Sequence, residues 1–104
     1  MSVRESGRQD RAAVAIRTKY GKHAWVRVSH GSAYSTVGDP DLHGCVMGQC
    51  FGFEVKNDIG ELTKIQIYRL YEMRTAGAIT GGIREPEDAL RLLYRGLTRK
   101  EKEP

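Results

Sequence analysis

The sequence predicts a single α/β domain: a mixed sheet of about four strands with a central hairpin, flanked by helices in the order α-β-β-β-α-β-α. Three observations lead there. Apolar residues recur at helical spacing in three separated segments. Two strand-like runs, 42–47 and 50–56, flank Gly48-Gln49, which suits a two-residue hairpin turn with glycine where φ is positive. The length, 104 residues, suffices for one modest core and no second domain.

The first helix is expected over 9–20. Ala12, Ala13, Ile16 and Tyr20 form its apolar stripe, the stripe extends backward through Gln9 to Glu5, and Gly21 ends the helix. Residues 24–29 (Ala-Trp-Val-Arg-Val-Ser) read as the first strand. The polar stretch 30–37 reads as a loop and a candidate for substrate contact. In the hairpin, Met47 then opposes Cys50, His43 opposes Glu54 and Asp41 opposes Lys56. Alternation puts Asp41, His43, Glu54 and Lys56 on one face and Phe51, Phe53 and Val55 on the other, the core face. A slip of one residue would scatter the polar set.

A connection turning at Gly60 leads to a second helix beginning at Thr63. Thr63-x-x-Gln66 fits a capping box, and Leu62 with Ile67 fits a hydrophobic staple. Its inward side reads as Ile67, Leu70, Tyr71 and the stem of Arg74, and Gly77 closes it. Residues 78–83 read as the fourth strand. Pro86 opens a last helix that runs to about Tyr94, with Ala89, Leu90 and Leu93 inward. The domain thus occupies 1–97, and 98–104 is a charged tail expected to fray.

No apolar run approaches the length of a membrane span, and the polar stretch 1–11 has no signal-peptide pattern. Cys45 and Cys50 lie diagonally in this register, which reads as reduced thiols in a cytoplasmic protein. The net charge of +4 and pI of about 9.3 suit a polyanionic partner, although many proteins without one match them. Arg4, Arg8, Arg11, Arg17, Lys19, Lys22 and Arg27 concentrate in the first third, where they either track a phosphate backbone or form a solvated helix face.

The chemistry centres on Gly38-Asp39-Pro40-Asp41 and, after twelve intervening residues, Glu54-Val55-Lys56. Two carboxylates and a lysine are what metal-assisted phosphodiester hydrolysis needs. The carboxylates hold a hard dication that activates water, and the lysine supports charge building on the phosphate. An isolated Glu-x-Lys triplet is commonplace on exposed strands; the preceding Pro-Asp, the hairpin register and the apolar opposite face distinguish this one. Asp41 and Glu54 are therefore the expected ligands for magnesium or manganese, with Lys56 beside them. Asp39 reads more simply as an Asx-turn residue before Pro40 than as an outer carboxylate. His43 either touches phosphate or satisfies a neighbour. His30, His43, Cys45 and Cys50 lack a recognisable zinc-ligand spacing.

Residues 38–66 resemble the nuclease signature of the PD-(D/E)XK superfamily, and most closely its VRR-NUC group of virus-type replication and repair nucleases. Pro40-Asp41, Glu54-Val55-Lys56, Gly60 and Thr63-Lys64-Ile65-Gln66 match in order, and Ala76-Gly77 and Glu87-Asp88-Ala89-Leu90 sit where members have similar residues. The likeness runs from about Glu5 to Leu93. It implies a restriction-endonuclease-like fold, the Val55 carbonyl as a third metal ligand, Glu5 as the first-helix acid near the metal, and Gln66 directed at the metal or attacking water. Capping boxes explain Glu5 and Gln66 without catalysis, and Asp10 competes with Glu5.

The expected function is a magnesium- or manganese-dependent, structure-selective DNA endonuclease of a bacterial or phage-infected cell. No finger motif or reading helix favours sequence-specific recognition. Stand-alone relatives of this size are similar to enzymes that resolve four-way junctions. Symmetric cutting needs two sites, hence a two-fold homodimer. The rival readings are a non-catalytic nucleic-acid-binding module on the same fold and an RNA-directed nuclease.

Overall fold

The computed structural model describes residues 3–29, 39–56 and 61–102, with side chains described between 7 and 99 of those segments. The loop expected at 30–37, Gly38 and the turn at Gly60 lie outside the described residues. The elements are α1 (Val3–Tyr20), a 3-10 turn (Gly21–His23), β1 (Ala24–Val28), β2 (Leu42–Val46), β3 (Gln49–Val55), α2 (Lys64–Thr75), β4 (Ile79–Ile83) and α3 (Pro86–Lys102). The predicted order and α/β class hold. The strands form one mixed sheet ordered β1-β2-β3-β4, antiparallel through β3 and parallel between β3 and β4. A parallel pair needs a crossover connection, and α2 lies within it.

The hairpin turns at Met47-Gly48, one residue earlier than expected. Both residues have positive φ, 52° and 81°, as a type I′ turn requires. Val46 therefore pairs with Gln49, Cys45 with Cys50, His43 with Gly52 and Leu42 with Phe53. Each expected partner moves by two positions. An even shift preserves the faces while changing who stands opposite whom. The cysteines show the consequence: they are not diagonal reduced thiols but directly opposite residues joined by a disulfide, with Cα atoms 3.9 Å apart.

Helices α1 and α3 cover one face of the sheet. Ala12, Ala13 and Ile16 from α1 and Ala89 and Leu93 from α3 join the core with Val26, Leu42, Val46, Phe51, Phe53, Val55 and Ile83. Phe51 and Phe53 are fully buried with stacked rings, centroids 5.0 Å apart. Truncating either to alanine would cost about 3–5 kcal/mol. Two helix bounds differ from expectation. Helix α1 begins at Val3, and α3 runs to Lys102, through most of the segment read as a tail. Leu97 continues the stripe of Leu90 and Leu93 against the core, and the arginine, lysines and glutamate that follow in the sequence are residue types of high helix propensity.

Helix α2 packs on the opposite face. The Thr63 hydroxyl accepts from the Gln66 N–H (3.2 Å) and the Thr63 N–H donates to Gln66 Oε1 (2.8 Å), completing the expected capping box. At the other end Gly77 (φ 105°) donates to the Arg74 carbonyl and Ala78 to that of Met73, a Schellman motif. The inward stripe is Gln66, Leu70 and Met73, with the Met73 thioether lying over Gly52. The expected stripe through Ile67 and Tyr71 is corrected: these are 55% and 65% exposed. The cap turns Gln66 toward the sheet, and its successor lies about 100° further round the helix. Among the described residues, no helix is long and apolar enough to cross a membrane.

Candidate active site

The face beneath α2 carries the acidic residues. Asp41 immediately precedes β2 and Glu54 is the penultimate residue of β3. The register, continued one step, sets Asp41 opposite Glu54 rather than Lys56, and His43 faces Gly52 rather than Glu54. Asp41 Oδ2 accepts the Val55 N–H at 2.8 Å, which anchors its carboxylate to the end of β3.

Glu54 has no exposed surface, because β3 is an interior strand with α2 packed above it. Its Oε2 accepts from Gln66 Nε2 at 2.8 Å, while Oε1 is buried without a hydrogen-bond partner. Burial first, then the charge of the neighbouring Asp41, pushes the Glu54 pKa up from 4.5 to about 9. The charge of Asp39 adds the smallest push. Two facing carboxyl groups with an orphaned oxygen form a donor set suited to a hard dication, which would take the proton's place.

Gln66 combines the expected cap with a contact to the acidic pair. Its Oε1 completes the helix cap and its Nε2 holds Glu54. Lys56 follows β3. Its N–H donates to the Ile83 carbonyl at 2.9 Å, and its own carbonyl accepts from Arg8 Nη1 at 3.4 Å. The lysine stem crosses Gly82, the β4 residue paired with Glu54; a Cβ there would stand 2.6 Å from Lys56 Cε. Sequence reasoning missed Gly82. The signal was present in the Gly81-Gly82 pair, since glycine inside a strand marks close approach.

The remaining candidates separate. Glu5 lies on α1, but its side chain is outside the described residues. Gln9, one turn on, is 1% exposed with Oε1 unpartnered, whereas Asp10 is exposed. Val55 is buried with its N–H committed to Asp41. The His43 ring meets Trp25 edge-on at 6.1 Å, and the Arg27 guanidinium lies 5.2 Å over the Trp25 ring. The disulfide removes both cysteines as zinc ligands, and His30 is outside the described residues. Among the described residues, no group of three or more His, Cys, Asp or Glu is placed to hold a metal ion.

Neither a family model nor a curated protein matches the sequence. A solved structure described as a VRR_NUC domain is similar to it: 18% identical, with a TM-score of 0.57, over 84% of this chain and 95% of that one. At this identity the likeness establishes the fold. The chain shares the fold of that domain, the architecture that the sequence resemblance implies.

Proposed function

We propose that this protein is a divalent-metal-dependent nuclease that hydrolyses phosphodiester bonds in DNA. The observation that carries the reading is the Asp41–Glu54 pair, with Glu54 fully buried, raised in pKa and left with one unpartnered oxygen. The VRR_NUC name of the similar structure supports the same class of chemistry. Asp41 and Glu54, with the Val55 carbonyl and Glu5 as further candidates, are the residues that would hold magnesium or manganese. Magnesium keeps several of its waters, so few protein ligands suffice. When bound, the cation lowers the pKa of a water and neutralises charge on the phosphate.

The chain's own residues account for the rest. The Val55 N–H orients Asp41, and the Gln66 amide steadies Glu54 once its proton has left. Lys56 supplies a positive charge for the phosphate as negative charge builds in the transition state. The reading extends to branched DNA, including four-way junctions, cut by a two-fold homodimer, because one site cuts one strand. Light scattering that returned a monomer with and without DNA would remove that extension.

The test is cleavage of labelled duplex, flap and four-way-junction DNA, and matched RNA, in magnesium, manganese or EDTA, beside Asp41→Ala and Glu54→Ala. Metal-dependent cutting of DNA, lost in both variants while binding persists, is the expected result. Full activity in either variant refutes the site assignment. Binding without cutting under every metal makes the protein a non-catalytic binding module, and preferential cutting of RNA replaces the substrate.

A further inference from the structure

We infer that a strand of the bound nucleic acid leaves the site at Lys56 and runs along an arginine ladder on α3; the inference rests on the nuclease reading above. Arg91, Arg95 and Arg99 recur every four residues and share one face of α3. They span about 12 Å at 1.5 Å per residue, about 6 Å from each arginine to the next.

Two open grooves adjoin along this face, of about 330 and 450 Å³, and both are lined by Leu92 and Arg95. The first also contains Lys56, Gly82, Arg84 and Arg91, so it begins at the proposed catalytic lysine. The second contains Arg74 and Arg99 over Ile79 and Gly96. β4 is the last strand of the sheet, which leaves its outer margin available to both grooves.

The charge here is poorly neutralised. Among the described residues, the one carboxylate lining these grooves, Asp88, is already engaged: it accepts from the Arg84 and Glu85 N–H groups and from Arg91 Nη2 at 2.9 Å. Among the described residues, Arg74, Arg95 and Arg99 make no ion pair. Like charges four residues apart weaken a helix. The helix macrodipole favours Arg99 near the C-terminal end but disfavours a cation such as Arg84, which stands just before the N-terminal end. A row of phosphates explains all of them together, since each arginine neutralises a phosphate and releases counterions.

The basic residues of the first third are differently placed. Arg17 donates to the Val26 carbonyl at 2.9 Å and Arg8 to that of Lys56, while Lys19 lies over the Tyr20 and Tyr94 rings and Arg27 over Trp25. Those four cations are engaged within the protein, whereas Arg95 and Arg99 make no ion pair among the described residues, which favours the ladder as the phosphate track.

The test is the affinity of the full chain for labelled duplex DNA, by fluorescence anisotropy in EDTA over a series of salt concentrations. Wild type is compared with the Arg95→Gln/Arg99→Gln double variant and with Lys22→Gln as a control. Glutamine keeps helix propensity close to that of arginine, and circular dichroism checks the fold. The double variant should bind at least tenfold more weakly, with a log–log salt slope shallower by about two, and Lys22→Gln should change neither. Should the double variant misfold, Arg74→Gln in the same groove should still weaken binding and reduce the slope by about one. A wild type that binds and cuts, with variants keeping its affinity and slope, overturns the ladder and leaves the nuclease standing. A wild type that neither binds nor cuts with any metal overturns both.

Discussion

Replacing Glu54 with glutamine in the metal-free protein should change how stability depends on pH. The folded carboxyl holds its proton up to about pH 9, whereas the unfolded one releases it near 4.5. Between these values the folded state binds more protons, so stability falls as pH rises. One proton gives a slope of about 1.4 kcal/mol per pH unit, hence roughly 3 kcal/mol between pH 6 and 8. A glutamine at this position mimics the protonated acid. It keeps an acceptor for Gln66 Nε2 and offers a donor toward Asp41, and it does not titrate. Urea unfolding of both proteins at pH 6, 7 and 8 in EDTA should therefore show the variant gaining on the wild type as pH rises. Adding magnesium should stabilise the wild type more at pH 8 than at pH 6, because the cation competes with the proton, and should leave the variant unmoved. Parallel pH profiles would refute both the buried, proton-holding Glu54 and the metal site built on it.

The remaining predictions concern its neighbours. Thr63→Ala removes only the helix cap and should cost about 1 kcal/mol in urea unfolding with cutting retained, whereas Gln66→Ala should cost a similar amount and also slow cutting; equal rates in the two would leave Gln66 as a cap alone. Gly82→Ala places a methyl where Lys56 lies, so single-turnover cutting should slow on the order of tenfold with little change in melting temperature; an unchanged rate would show that the lysine works from elsewhere. Thiol titration of the unreduced, unfolded protein should find no free sulfhydryl, and Cys45→Ser/Cys50→Ser should lower stability by about 2 kcal/mol for so short a loop; two titratable thiols would contradict the cross-strand bond.

What the sequence determined by itself was everything set by local periodicity and end chemistry. The Ala12–Ala13–Ile16 and Ala89–Leu93 stripes, the capping box at Thr63 and the glycine stop at Gly77 each depend on residues within one or two turns, and each appears where expected. The common face of Asp41, Glu54 and Lys56 also survived, because strand alternation tolerates a register error of two. Tertiary structure decided the oppositions. Gly48 fits either position of a two-residue turn, and nothing in Met47 announces a positive φ, so the sequence alone leaves the hairpin one residue ambiguous. The assembled sheet resolved it, setting Cys45 against Cys50 and Asp41 against Glu54. Tertiary packing also turned Ile67 and Tyr71 outward and Gln66 inward, and buried Glu54 beneath α2. The strand pattern places Glu54 on a polar face; only the helix packed over that face withdraws water from it and raises its proton affinity.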